Sequence, residues 1–422
     1  MLLPRHLAPR LERALRTSPV VLLTGARQVG KSTLARDLAS GRWSASYVTL
    51  DDRTALDAAL TDPDGFLEAQ PVPLVIDEVQ RAPDLLRAVK KRVDLDRRPG
   101  RYLLTGSANV LTLKSVSESL AGRVSVFQLD PFSWRELAHA SPGPALGVLW
   151  RARTASEAVR GLGSVGRAHR WREVQDLILR GGYPIPARLR SAAARRDWYD
   201  GYRTTYLERD IRDLSTIAHL PEFGRLLSIL ALRTGQLVNF ADLSRDTGLQ
   251  AMTLRRYFGL LETTYQISLL QPYFVNAAKR LVKTPKIHAT DTGLSCYLAG
   301  ADTWESIERQ GRSGALLETW VHSELRRALA CESDRTGLYF WRSHDGYEVD
   351  FVLEGPDARL LGIEVKRSST IDPRDRLGLA KLRELVGERM GLGVIAYGGD
   401  QIVGLDGTTL AVPFGRLFGP EA

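Results

Sequence analysis

Residues 20–33 read VVLLTGARQVGKST, and the rest of the fold can be worked out from them. The apolar run Val20–Thr24 has the length and content of a strand buried in a parallel sheet. It enters Gly25-Ala-Arg-Gln-Val-Gly30-Lys31-Ser32, which fits G-x-x-x-x-G-K-[ST], and TLARDLAS follows with helical character. Strand, glycine loop and helix in this order form a phosphate-binding loop. The glycines let backbone N–H groups turn inward around phosphate, and the helix N-terminus adds a favourable field. Gly25, Gln28, Val29, Gly30, Lys31, Ser32 and Thr33 are the expected nucleotide contacts. Lys31 would reach the β- and γ-phosphates, and Ser32 would ligate Mg2+. The expected cofactors are therefore ATP and Mg2+.

A second apolar run, Leu74-Val75-Ile76, ends in Asp77-Glu78 within PVPLVIDEVQ. Carboxylates at the C-terminal end of such a strand lie in the ligand crevice of an open α/β sheet. Asp77 suits the Mg2+ shell, and Glu78 suits activation of water. The competing reading makes the pair a helix N-cap and a first-turn acid. A third strand, RYLLTGSAN, ends in the polar residues Thr105, Ser107 and Asn109. Beyond it, Arg123 precedes a fourth strand and reads either as an arginine acting on phosphate, in this chain or a neighbouring one, or as a surface residue.

With GARQVGKST and VIDEVQ both present, residues 1–135 resemble the bacterial and archaeal AAA-superfamily ATPases. More specifically, the chain resembles a subgroup with a long C-terminal half of uncertain function. The resemblance implies that Ser107 or Asn109 touches the γ-phosphate or the attacking water. It also implies a helical lid after residue 170, with YLERDIRDL (206–214) as its signature helix and Arg209 and Arg212 facing nucleotide, a neighbour, or their own Asp210 and Asp213. Residues 141–170, rich in Gly, Ala and Arg, read as a connection with partial helical content.

The 422 residues exceed one ordinary core, so two or three domains are expected. A net charge of +9 points to an anionic partner, nucleic acid first, although only 9 of the 58 cations are lysines. Two cysteines do not make a disulfide scaffold and fit a reducing compartment. The first residues lack an apolar signal core, and no stretch of about 18 apolar residues occurs, so a cytoplasmic protein without membrane contact is expected.

Residues 222–290 look like a winged helix. EFGRLLSILALRTGQ, NFADLSRDTG and QAMTLRRYFGLLETTY supply three helices, the third opening on Thr253, Arg255 and Arg256. Two strands follow around a basic turn containing Lys279, Arg280, Lys283 and Lys286, which would grip phosphates. The same fold also serves as a protein-interaction module.

The last 120 residues contain a helix with Glu318, a strand YEVDFVL with Asp350, and a strand LLGIEVK with Glu364 and Lys366. Strand alternation puts Val349, Phe351 and Leu353 on one face and Asp350 on the other. The order resembles the restriction-endonuclease-like PD-(D/E)xK fold. There the resemblance implies that Asp350, Glu364 and Glu318 hold Mg2+ or Mn2+ and that Lys366 positions water. A solvated sheet face with a Glu364–Lys366 pair is the alternative. Lys366, Arg367 and Arg374 are candidate backbone contacts.

The expected fold class is α/β: an AAA-type P-loop NTPase parallel-sheet domain with helical lid (1–215), a winged-helix segment (216–300) and a PD-(D/E)xK nuclease-like α/β domain (301–422). The expected function is ATP binding and hydrolysis, with Lys31, Glu78, Asn109 and Arg123 as catalytic candidates. Hydrolysis would be coupled to a module that binds nucleic acid, DNA foremost, and cleaves it if the metal site is live. The alternative is an ATP-dependent switch, or a toxin–antitoxin or defence component, acting through a protein partner or a second copy without a live nuclease.

Overall fold

The computed structural model describes residues 3–41, 43–107, 122–163, 171–206, 220–276, 278, 280, 283–332 and 334–421. Two compact units emerge, one of residues 5–131 with 260–266, the other built on 132–259 and 267–422.

The first unit is a five-stranded, all-parallel sheet of β1 (Val20–Thr24), β2 (Ser46–Thr49), β3 (Leu74–Asp77), β4 (Tyr102–Gly106) and β5 (Val124–Gln128), in the order β2-β3-β4-β1-β5. The three central strands are fully buried, whereas the edge strands β2 and β5 are only partly covered. Composition follows burial: the centre is Val, Leu and Ile, and polar Ser46, Tyr47, Thr49, Ser125 and Gln128 sit at the margins. Insertion of β4 between β1 and β3 brings the ends of all three strands to one crevice.

The second unit carries a mixed eight-stranded sheet, β12-β13-β11-β10-β9-β8-β6-β7. Its strands are β6 (Ile267–Pro272), β7 (Lys286–Ala289), β8 (Gly337–Arg342), β9 (Glu348–Glu354), β10 (Leu360–Lys366), β11 (Met390–Tyr397), β12 (Val403–Gly404) and β13 (Thr409–Pro413). Helix Ser313–Cys331 packs on one face, joining Leu317, Trp320 and Val321 to Phe351, Ile363 and Val394; Leu379 and Leu382 cover the other face.

Both expected boundaries shift. Residues 132–206 belong to the second unit rather than forming a lid on the first: Trp134, Leu146, Leu149, Ala158, Leu162 and Ile178 share one core with Trp320 and Phe414. Helices Ala145–Arg151 and Ala155–Gly163 form within the stretch expected to be a connection, because their small apolar residues make a stripe for that core. No separation occurs near residue 300 either, since β6 pairs with β8 in parallel register, Gln271 with Tyr339. Arg209 and Arg212 lie outside the described residues.

Between the pairs Tyr339–Val352 and Trp341–Val349 the register takes two steps on β8 and three on β9. The extra residue is a β-bulge, and it reverses the alternation. Val349 therefore packs with Val352 in the core on one side, and Phe351 and Leu353 pack on the other, so the three do not share a face. The bulge falls at Asp350.

Candidate functional site

Gly25 has φ +145°, and a Cβ there would lie 2.3 Å from the Leu129 carbonyl oxygen. Gly30 has φ +98° at the N-cap of helix Lys31–Ser40, with open space where a side chain would stand. Gln28 is also left-handed, φ +62°. The loop backbone is thus curled as the glycine pattern requires. Val29 is buried and Thr33 exposed. The buried Lys31 ammonium donates to the carbonyls of Gly25 at 3.0 Å and Ala26 at 2.9 Å, which holds it inside the loop.

Asp77 gathers hydroxyl groups. Its Oδ1 accepts from Ser32 Oγ at 3.0 Å and from Thr105 Oγ1; its Oδ2 accepts from Tyr47 OH at 2.7 Å and Thr49 Oγ1 at 3.4 Å. Burial, reinforced by Asp77, raises the Tyr47 phenol, which stays a donor. Arg36 lies over its ring at 4.5 Å. A serine hydroxyl beside a fixed carboxylate is the oxygen donor set that a hard cation takes with nucleotide phosphates. The glycine cradle, Lys31 and this pair fit Mg2+ and ATP.

Glu78 is a non-glycine residue at φ +60°, a strained conformation that persists where its surroundings hold it. Its N–H donates to Thr105 Oγ1 at 3.1 Å. Gln80 Nε2 donates to the Glu78 carboxylate and, at 2.9 Å, to Ser107 Oγ. The structure thus joins Ser107 to Glu78, whereas Asn109 lies outside the described residues. Arg123 requires correction as a phosphate contact within its own chain. It precedes Val124, which pairs with Val20 at the start of β1, so it sits at the sheet end opposite the loop. Asp94 accepts from its Nε at 2.7 Å and from its Nη2 at 3.1 Å. Tyr47, Thr49 and Gln80 are the unexpected members of the site; polar alternation on an edge strand is the sequence signal for Tyr47 and Thr49, and Gln80 closes the VIDEVQ stretch.

In the second unit, Glu318, Asp350, Glu364 and Lys366 do converge. The β9–β10 ladder ends at Phe351–Ile363, and beyond it Asp350 Oδ2 accepts the Val365 N–H at 2.8 Å. Lys366 Nζ lies 3.0 Å from Glu364 Oε1 and 3.6 Å from Asp375 Oδ1. Burial, with Asp350 adding to it, pushes both Glu318 and Glu364 up to about 8; burial also raises Asp350. The unexpected member is Lys286. Its Nζ lies 2.8 Å from Glu318 Oε1 and also pairs with Glu348 Oε1. Burial alone would lower the pKa of Lys286, but Glu318, Asp350 and Glu348 outweigh it and hold the ammonium charged. Next to it His288 stacks on His322 at 4.3 Å, and burial depresses His288 to about 3, so its ring is neutral.

These residues do not fit the expected divalent ion. Among the described residues, no group of three or more His, Cys, Asp or Glu side chains is arranged to hold a metal. Glu318 Oε1 meets the Lys286 ammonium and Asp350 Oδ2 the Val365 amide, and of the three expected ligands Glu364 alone has a buried oxygen, Oε2, recorded without a hydrogen-bond partner. The basic turn is corrected as well. Lys286 is buried, and Arg280 is folded back between Tyr273 and Tyr339 (4.5 and 4.7 Å), donating to Glu354. Lys283 is exposed and Lys279 lies outside the described residues. Arg367 pairs with Glu308 at 2.6 Å, leaving Arg374 exposed.

The family described as "AAA domain" matches residues 17–138, which makes the first unit an AAA-superfamily ATPase domain. Two families described as domains of unknown function, DUF8612 and DUF4143, match residues 172–305 and 313–417. Uncharacterized protein Rv2008c of Mycobacterium tuberculosis and uncharacterized protein Mb2031c of Mycobacterium bovis are each 35% identical over 414 residues, 98% of this chain and 84% of theirs. Among solved structures, the Walker-type ATPase PABY2304 of Pyrococcus abyssi is similar at 16% identity and TM-score 0.43, over 70% of this chain and 96% of that one. AMPPCP-bound DnaA of Aquifex aeolicus is similar at 12% identity and TM-score 0.25, over 61% and 85%. No helix of the described residues is long and apolar enough to cross a membrane.

Proposed function

The chain belongs to the same family as these uncharacterized mycobacterial proteins, and on that premise we propose that it is an ATP-hydrolysing switch whose nucleotide state sets the grip of its C-terminal unit on nucleic acid, DNA foremost. The observation that carries the ATPase half is the Ser32–Asp77 pair, 3.0 Å apart, at the mouth of the Gly25–Lys31 loop. In this reading Gly25, Gln28, Val29, Gly30, Lys31, Ser32 and Thr33 hold the phosphates, and Ser32 and Asp77 hold Mg2+. The bound Mg2+ supplies charge neutralisation at the phosphates. Tyr47, Thr49 and Thr105 keep the Asp77 carboxylate oriented. Glu78 takes a proton from the attacking water, with Gln80 and Ser107 positioning its carboxylate.

The nucleic-acid half is supported by the winged-helix order. Helices Leu220–Leu232, Phe240–Thr247 and Ala251–Thr263 precede the antiparallel β6–β7 pair, and an isolated bridge joins Leu237 to Lys286. Helix Ala251–Thr263 presents Met252, Arg255 and Arg256 to solvent, with Arg255 over the Phe240 ring at 4.5 Å. Arginines at the exposed start of such a helix suit phosphate and base contacts. The mixed sheet with helix Ser313–Cys331 supports a nuclease-like architecture, and we assign it a holding rather than a cutting role.

The test is phosphate release from ATP by wild type and Lys31→Ala, together with a salt titration of binding to duplex DNA and to RNA. The reading expects hydrolysis that Lys31→Ala abolishes, and DNA affinity that falls steeply with salt. Hydrolysis unchanged in Lys31→Ala would overturn the first half, and no affinity for either nucleic acid at low salt would overturn the second.

A further inference from the structure

We propose that the carboxylate cluster of the C-terminal unit is neutralised from within by Lys286, which fastens the β6–β7 pair to the core and makes the cluster an internal ion network rather than a metal centre. The proposal concerns this unit alone and stands apart from the ATPase reading, because its test uses no nucleotide.

Four carboxylates from three elements meet here: Glu318 from helix Ser313–Cys331, Glu348 and Asp350 from β9, and Glu364 from β10. Gathering them away from water is unfavourable unless positive charge comes with them. Lys366 serves Glu364 from the same strand, two residues on. It does not reach Glu318 or Glu348, and of these Glu348 also has Arg342 Nε 3.8 Å from its Oε2. Both are served by Lys286, the first residue of β7, whose side chain is buried and whose Nζ bridges Glu318 and Glu348. The backbone fixes where this ammonium goes. Lys286 pairs with Leu270 on β6 and with Leu237, so its Cα is held in the ladder on both sides. Its aliphatic stem brings the ammonium to 5.4 Å from the centre of the Phe340 ring on β8.

One oxygen of each carboxylate is engaged, while Glu364 Oε2 is buried without a hydrogen-bond partner. Asp350 Oδ2 accepts the Val365 N–H on β10, and the β9 bulge lies at this residue. His288, two residues after Lys286, directs Nδ1 to the Thr319 hydroxyl at 3.1 Å, and Thr319 in turn meets Thr234 at 2.7 Å. On β7, then, Lys286 reaches Glu318 and Glu348, and His288 reaches Thr319 and through it Thr234, which follows helix Leu220–Leu232. A lysine tied to β7, β9 and helix Ser313–Cys331 at once is a structural bolt across three elements of one sheet layer.

Two measurements on the full-length, nucleotide-free protein decide the matter. The first is Mn2+ binding followed by electron paramagnetic resonance, comparing wild type with Asp350→Asn. The expected result is identical Mn2+ titrations for the two proteins. A site in wild type that Asp350→Asn removes would overturn the proposal. The second is a thermal-unfolding cycle of Lys286→Met, Glu318→Gln and the double variant. Leaving the carboxylates without their lysine should lower Tm by on the order of 10 °C. Adding Glu318→Gln should restore at least half of that loss. A Lys286→Met protein as stable as wild type, or a double variant whose losses simply add, would overturn it. Should Lys286→Met fail to fold, Lys286→Arg keeps the test open: retained charge should give a folded protein, and a Lys286→Arg protein that also fails to fold would overturn the proposal.

Discussion

Ser32 Oγ donates to Asp77 Oδ1 across 3.0 Å, joining the first turn of the loop helix to the tip of β3. The contact exists because parallel β1 and β3, separated by β4, end at the same level, so residues 45 positions apart in sequence share one crevice.

Asp77→Asn should keep the fold and lose ATP turnover by about 100-fold or more, because the isosteric amide keeps one acceptor oxygen for the surrounding hydroxyls but brings no charge to the cation. Steady-state phosphate release with a Mg2+ titration checks this. Near-wild-type kcat at saturating Mg2+ would separate Asp77 from the cation.

Tyr47→Phe removes one donor from Asp77 Oδ2 and leaves the edge strand intact. The expectation is a rise of about 10-fold in the Mg2+ concentration needed for half-maximal hydrolysis, with Tm within about 2 °C of wild type. Phe retains the ring under Arg36, so a shift in Mg2+ demand isolates the hydroxyl.

Glu78→Gln should bind ATP and hydrolyse it roughly 100- to 10,000-fold more slowly, as loss of a general base does. Gln80→Ala, which frees the Glu78 carboxylate from its amide and from Ser107, should lower kcat with little change in ATP affinity. Fluorescent-nucleotide binding alongside turnover distinguishes the two effects.

The pH dependence of stability has a definite sign at Glu364. Burial, reinforced by Asp350, holds its folded value at about 8, above the ordinary 4.5. For an acid raised in this way the stabilising contribution is complete below about 4.5 and is lost as pH rises through 8. Glu364→Gln does not titrate, so its Tm relative to wild type should climb steadily from pH 5 to pH 9. A constant difference across that range would contradict the assignment.

Arg280 and Arg255 offer a contrast between two arginines in one segment. Arg280 is stacked between two tyrosines and paired with Glu354, so Arg280→Ala should cost stability, about 2 kcal/mol, and leave nucleic-acid affinity nearly unchanged. Arg255→Ala should do the reverse: a Tm lowered only slightly by loss of the contact over Phe240, weaker binding, and a salt slope reduced by about one.

The loop of the first unit was legible because its chemistry is local: the glycines, Lys31 and Ser32 are neighbours in sequence and their geometry follows from φ requirements. Asp77 and Glu78 were legible for the same reason, as a strand ending in charge. The fate of Lys286 was not, since a lysine in a basic run reads as solvent-facing, and only pairing of β6 with β8 carries it to Glu318, 32 residues away. The bulge at Asp350 likewise lies in the pairing with β8, and alternation within β9 alone puts Val349 on the wrong side. Residues 132–206 were misassigned because an amphipathic helix records that it has a buried face and says nothing of which core receives it.

The most direct test of the account is the affinity of the full chain for duplex DNA, measured at one fixed salt concentration without nucleotide, with ADP, and with ATP in the Glu78→Gln background. The account predicts that the ATP-bound state differs from the other two by at least about fivefold, and that Lys31→Ala abolishes the difference. Equal affinities in all three states, with ATP binding demonstrated in the same samples, would contradict it.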